Sequence, residues 1–111
     1  MKSKLSIDTR GSKRWKLPNG NLHREDGPAI EYGSGDKEWW VNGKLHRENG
    51  PAIEDDDDES KYWYINGKRH REDGPATEYS DGTKMWYING INYTEQEYTS
   101  EIRSIKLKQL L

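Results

Sequence analysis

His23-Arg24-Glu25-Asp26-Gly27-Pro28-Ala29 returns as His46-Arg47-Glu48-Asn49-Gly50-Pro51-Ala52 and again as His70-Arg71-Glu72-Asp73-Gly74-Pro75-Ala76. A segment that recurs at a fixed interval marks a repeat architecture, and each copy is one supersecondary unit. Working outward, Trp15, Trp39, Trp63 and Trp86 are spaced 24, 24 and 23 residues apart. Each is followed by an Asn-Gly pair: Asn19-Gly20, Asn42-Gly43, Asn66-Gly67 and Asn89-Gly90. The unit is therefore used about three and a half times.

Asn-Gly between apolar runs is a hairpin signal, because both residues tolerate positive φ. Glu38-Trp39-Trp40-Val41 is expected to pair with Lys44-Leu45-His46-Arg47, and Lys61-Tyr62-Trp63-Tyr64-Ile65 with Lys68-Arg69-His70-Arg71. The Gly-Pro step reads as a bend or bulge. A short strand follows it: Ala29-Ile30-Glu31-Tyr32, Ala52-Ile53-Glu54, Ala76-Thr77-Glu78-Tyr79. Alternation places Trp39 with Val41, Trp63 with Ile65 and Trp86 with Ile88 on one side, the expected core. Trp40, Tyr64 and Tyr87 then form an aromatic row on the opposite face.

After Asn89-Gly90 the motif is absent. Thr94-Glu95-Gln96-Glu97 reads instead as a capping box, opening a helix from about Glu95 to Leu110. Tyr98, Ile102 and Ile105 share one helical face, suited to covering the end of the sheet. Leu107, Leu110 and Leu111 lie largely on another face and imply a surface for homo-oligomer formation. The expected fold is all-β, an antiparallel hairpin repeat stack over 15–93 with a C-terminal capping helix over 94–111, in a single domain of residues 1–111.

Composition narrows the function classes. The 111 residues are 30% hydrophobic and 34% charged, with five Trp, seven Tyr and no Phe. A few large rings at regular intervals must replace an aliphatic core. No Cys is present, which excludes disulfides and thiolate metal sites. No apolar leader or membrane-spanning stretch is evident, so a cytoplasmic chain without a membrane partner is expected. The net charge of −2 hides an acidic run, Glu54 to Glu59, that holds 6 of 20 acidic residues. That run reads as a solvated hairpin tip, since it lacks calcium-loop spacing. The remainder carries 18 basic and 14 acidic residues, too small an excess for strong non-specific nucleic-acid binding. Nothing points to a sequence-specific nucleic-acid partner.

The repeated motif invites chemical readings. Equivalent His residues sit at least two strands apart, about 10 Å, too far to share one metal ion. Asn49 stands where the other copies have Asp26 and Asp73, so this position serves the turn and not acid–base chemistry. No phosphate loop or nucleophile motif appears, and no catalytic residue, cofactor or metal is expected. Arg24, Arg47 and Arg71 read either as a ladder of surface ion pairs or as a row beside the aromatic one. Guanidinium forks suit phosphate and flat rings suit base stacking. The candidate ligand residues are thus Trp40, Tyr64, Tyr87, His46, His70, Arg47 and Arg71, with a small anionic ligand or a protein partner. Arg69 replaces Leu22 and Leu45 and adds a positive charge to the third copy.

Asn66-Gly67-Lys68-Arg69-His70 followed by Tyr79-Ser80-Asp81-Gly82 resembles a MORN repeat, and the resemblance spans about Trp15 to Gly90. The chain departs from that pattern in having Arg after the His and in its Gly-Pro-Ala step. It is more similar to a divergent group associated with bacteriophages and large viruses. The resemblance implies an adaptor, an oligomerisation module or a membrane-proximal scaffold, and therefore binding and not chemistry. For a virus-type protein it implies capture of an anionic nucleotide signal of host defence.

Overall fold

The computed structural model describes residues 2–111; Met1, where the expected domain span begins, lies outside them. The Asn-Gly turns form as their chemistry requires, with one exception. Asn42, Asn66 and Asn89 have φ of 50°, 50° and 51°, and the glycines that follow have φ of 78°, 81° and 82°. Two successive positive-φ residues make a two-residue loop whose twist matches the flanking strands. The exception is Asn19-Gly20, where Pro18 has no N–H to close the narrow pair of a two-residue loop. There Leu17 N–H donates to Asn21 O (2.9 Å) and Gly20 N–H to Leu17 O (2.8 Å), a longer loop.

The strands are short. They run β1 (Lys4–Ile7), β2 (Lys13–Lys16), β3 (Ile30–Glu31), β4 (Lys37–Glu38), β5 (Trp40–Val41), β6 (Lys44–Leu45) and β7 (Ile53–Glu54). Then come β8 (Lys61–Tyr62), β9 (Tyr64–Ile65), β10 (Lys68–Arg69), β11 (Thr77–Glu78), β12 (Lys84–Ile88), β13 (Ile91–Tyr93) and the helix α1 (Glu95–Gln109). One nine-stranded sheet has the order β1-β2-β3-β4-β7-β8-β11-β12-β13, and β5-β6 and β9-β10 form separate pairs. Every pairing is antiparallel. β1 extends the sheet to the N-terminal side of the expected 15–93 span.

The expected strands around Trp39 and Trp63 are each divided at the Trp. Trp39 N–H donates to Ala52 O in the long sheet (2.7 Å), while Trp39 O accepts from His46 N–H in the hairpin (3.0 Å). Trp63 does the same with Ala76 (2.7 Å) and His70 (3.1 Å), and Trp15 with Ala29 (2.9 Å) and His23 (3.0 Å). The chain passes from one sheet to the other at a single residue. Ala29, Ala52 and Ala76 sit at these crossings with 0% exposure, so only a small side chain fits. At Trp86 the strand is not divided: β12 pairs with β11 at one end and with β13 at the other.

The hairpins bond to one another. Arg24, Arg47 and Arg71 N–H donate to the carbonyls of Trp40, Tyr64 and Tyr87 (3.0, 3.1 and 3.3 Å). Gly43, Gly67 and Gly90 N–H donate to Leu22, Leu45 and Arg69 O (2.9, 2.8 and 2.8 Å).

The Trp side is not a conventional core. Trp39, Val41, Trp63 and Ile65 are half-buried, and of the expected set only Ile88 is buried. Among the described residues arginine guanidinium groups, not an apolar layer, cover the middle rings. Only the last ring meets a helix. Tyr98 packs on Trp86 with ring centroids 4.9 Å apart, and Ile102 and Ile105 join Ile88 and Tyr93 around it. The capping box closes α1 at Thr94 and Glu97. Among the described residues no helix is long and apolar enough to cross a membrane.

Candidate functional site

The repeated heptad folds each arginine back beneath its own loop. The Arg24, Arg47 and Arg71 guanidinium carbons lie 3.9, 3.7 and 3.9 Å from the ring centroids of Trp15, Trp39 and Trp63. Such stacking joins dispersion to attraction by the ring quadrupole. Each Nη1 donates to the carbonyl of the motif proline: Pro28 (3.2 Å), Pro51 (3.0 Å) and Pro75 (3.0 Å). Each also lies near the glutamate seven residues on: Glu31 (3.9 Å), Glu54 (3.2 Å) and Glu78 (3.5 Å). The motif glycine is set by this fold-back. A Cβ at Gly27, Gly50 or Gly74 would come within 3.0, 2.9 or 2.8 Å of the guanidinium carbon.

The histidines join neighbouring hairpins. His23, His46 and His70 Nδ1 each accept from the backbone N–H of the next hairpin's turn asparagine, Asn42, Asn66 and Asn89, all at 3.0 Å. Accepting at Nδ1 places the proton on Nε2. That nitrogen faces Glu25, Glu48 and Glu72 at 3.5, 3.7 and 2.9 Å. Both ring nitrogens of His70 are therefore hydrogen-bonded, whereas Nε2 of His23 and His46 only lies near its glutamate. Among the described residues no group of three metal-ligating side chains converges.

Grooves run between successive loops on this side. One of about 760 Å³ is lined by Arg47, Asn49, Trp63, His70, Arg71 and Lys106, among others. Its counterpart one motif earlier, about 730 Å³, includes Arg24, Asp26, Trp39, His46 and Arg47. His46, His70, Arg47 and Arg71 thus belong with Trp39 and Trp63.

Trp40, Tyr64 and Tyr87 lie on the other face, as alternation demands, so the arginine row does not flank the aromatic row. The arginine that does is Arg69. Its Nε donates to Tyr64 Oη and its Nη1 to Tyr87 Oη, both at 3.2 Å. Its guanidinium carbon is 5.2 Å from the Tyr87 ring centroid and 5.9 Å from that of Tyr62. Among the described residues no carboxylate pairs with it. The Tyr64 hydrogen bond holds its pKa above the ordinary arginine value, against the opposing effect of burial. Trp40 differs: its indole N–H donates to Glu38 Oε1 (2.8 Å), and Glu38 also accepts from Tyr32 (3.3 Å). The aromatic row is cationic at Tyr64–Tyr87 and anionic at Trp40.

Arg69 breaks the Leu22/Leu45 pattern, which was the visible signal for its role. The part played by Trp39 and Trp63 was hidden, because alternation alone marks them as core. Comparison with protein-family models, curated proteins and solved structures found no match.

Proposed function

We propose that the chain is a non-enzymatic binding protein whose hairpins form a MORN-like repeat stack. The aromatic face at Tyr64, Arg69 and Tyr87 takes up a small anionic, nucleotide-like ligand. The observation that carries this reading is Arg69, a half-buried guanidinium held by two tyrosine hydroxyls with no carboxylate among the described residues. Each hydroxyl that accepts from Arg69 keeps its own proton to donate to an anion. The flanking rings offer π-faces for a base. On the virus-type resemblance, uptake without turnover serves to remove a nucleotide signal of host defence.

Titration calorimetry against a panel of mono-, di- and cyclic nucleotides tests it. Arg69→Leu restores the residue of the first two copies, so the fold is kept. It is expected to weaken binding about tenfold or more, the loss of one charge-assisted hydrogen bond. A panel without a single binder would sink the reading. The second reading, a protein-interaction or oligomerisation scaffold, is favoured by Leu107, Leu110 and Leu111, which are 61%, 82% and 104% exposed. Native mass spectrometry, which reports subunit number and retained ligand together, separates the two.

A further inference from the structure

The three heptads act as internal controls for one another. In the first, Arg24 Nε donates to Asp26 Oδ1 at 3.0 Å, and in the third Arg71 Nε donates to Asp73 Oδ1 at 3.0 Å. In the second, Asn49 stands at the carboxylate position, and among the described residues no side-chain oxygen meets Arg47 Nε. The rest of the arrangement is kept: Arg47 stacks on Trp39 at 3.7 Å and donates to Pro51 and Glu54. The guanidinium is therefore held in the same pose while one outward donor lacks its carboxylate. The groove beside it is distinguished again by Lys106 of α1, a cation with no counterpart among the residues lining the groove one motif earlier.

We infer that this groove is a binding site for a carboxylate borne on a small apolar body, with the ligand carboxylate taking the place that Asp26 and Asp73 fill in the sister motifs. Those two motifs show which group the Nε–H donates to there, a carboxylate oxygen at 3.0 Å. Arg47 supplies the directed donor, since a charged guanidinium bonds carboxylate more strongly than a neutral donor does. Lys106 adds a positive charge to those of Arg47 and Arg71, against Glu48, Glu72 and Asp73 on the same lining, and Trp63 with Ile65 supply an apolar wall for the ligand body. The site lies on the Trp63 side of the strand, opposite Tyr64, so it stands or falls independently of the aromatic face.

The test uses the sister sequences as substitutions. Asn49→Asp returns the internal carboxylate and keeps the fold, because Asp is the residue of the other two motifs. Sodium benzoate is the probe, with inorganic phosphate as comparison and sodium chloride matching ionic strength. The readout is the Arg Nε–Hε resonance in a nitrogen–proton correlation spectrum. The expected result is a saturating shift of the Arg47 signal with benzoate, weakened about tenfold by Asn49→Asp. Asp26→Asn is expected to open a second, weaker site reported by Arg24, without the lysine. The inference is overturned if Asn49→Asp binds benzoate as well as the parent chain does, if no Arg47 shift appears, or if phosphate alone produces it.

Discussion

At the residue scale the heptad is a structural device. Its Arg covers a Trp ring, its Gly makes room for the guanidinium, its Pro carbonyl anchors it, and its Ala fills a crossing with 0% exposure. Its surface Asp, 86–87% exposed where paired, adds little stability, as solvated ion pairs do. Position 77 shows what happens when a copy drifts. Thr77 occupies the place of Ile30 and Ile53, has 0% exposure, and among the described residues its Oγ1 has no hydrogen-bond partner. A buried hydroxyl without a partner costs about 1–3 kcal/mol. Thr77→Val is therefore expected to stabilise the chain by about 1 kcal/mol in urea unfolding. A loss of stability would mean that the hydroxyl is satisfied. This weak point was not legible in the sequence, where Thr in a strand reads as favourable; only its burial makes it a cost.

At the element scale, hairpins are held in register by histidine. His46 Nδ1 binds the Asn66 amide, while Nε2 faces a Glu48 carboxylate that is 78% exposed and 3.7 Å away. His46→Ala is expected to cost about 1–2 kcal/mol and to speed amide exchange at Asn66. Glu48→Ala is expected to cost under about 0.5 kcal/mol. Equal effects would show that the contact with Glu48, not the turn bond, matters. The helix replaces the arginine cover where the motif ends: Tyr98 covers Trp86, donates to Arg71 O and accepts from Gly74 N–H (3.3 Å). Burial raises the Tyr98 pKa above the ordinary tyrosine value. The neutral phenol is thus favoured in the folded state. Its contribution is complete below the unfolded-state pKa, about 10, and is lost as pH rises through the raised folded value. Alkaline titration of thermal stability is expected to show this loss in the parent chain and a smaller one in Tyr98→Phe. That variant is itself less stable by about 1–2 kcal/mol at neutral pH. The capping box made the helix and its start readable from Thr94 and Glu97, but the hydroxyl contacts of Tyr98 span 27 and 24 residues and left no local mark.

At the scale of the whole molecule the chain is a thin slab of 47 × 35 × 18 Å with a Cα radius of gyration of 15.8 Å. A compact globule of this length would have about 13 Å. Solution scattering is expected to give a radius near the larger value and a maximum dimension near 47 Å, and a radius near the smaller one would contradict the open sheet. Thinness follows from composition: with 30% hydrophobic residues and rings at fixed intervals, there is not enough aliphatic side chain to build a thick core. The sequence by itself determined the antiparallel hairpins, the turns at Asn42, Asn66 and Asn89, the two-sided sorting of Trp and Tyr, and the helix. These depend on local backbone preference and a period of two, both carried by neighbouring residues. The tertiary structure alone decided that the Trp39 and Trp63 strands divide between two sheets, that arginine rather than aliphatic packing covers the rings, and that Arg69 and not Arg47 or Arg71 joins the aromatic row. Those outcomes depend on which hairpin lies beside which and on where long side chains reach, a competition among distant partners that no local pattern encodes.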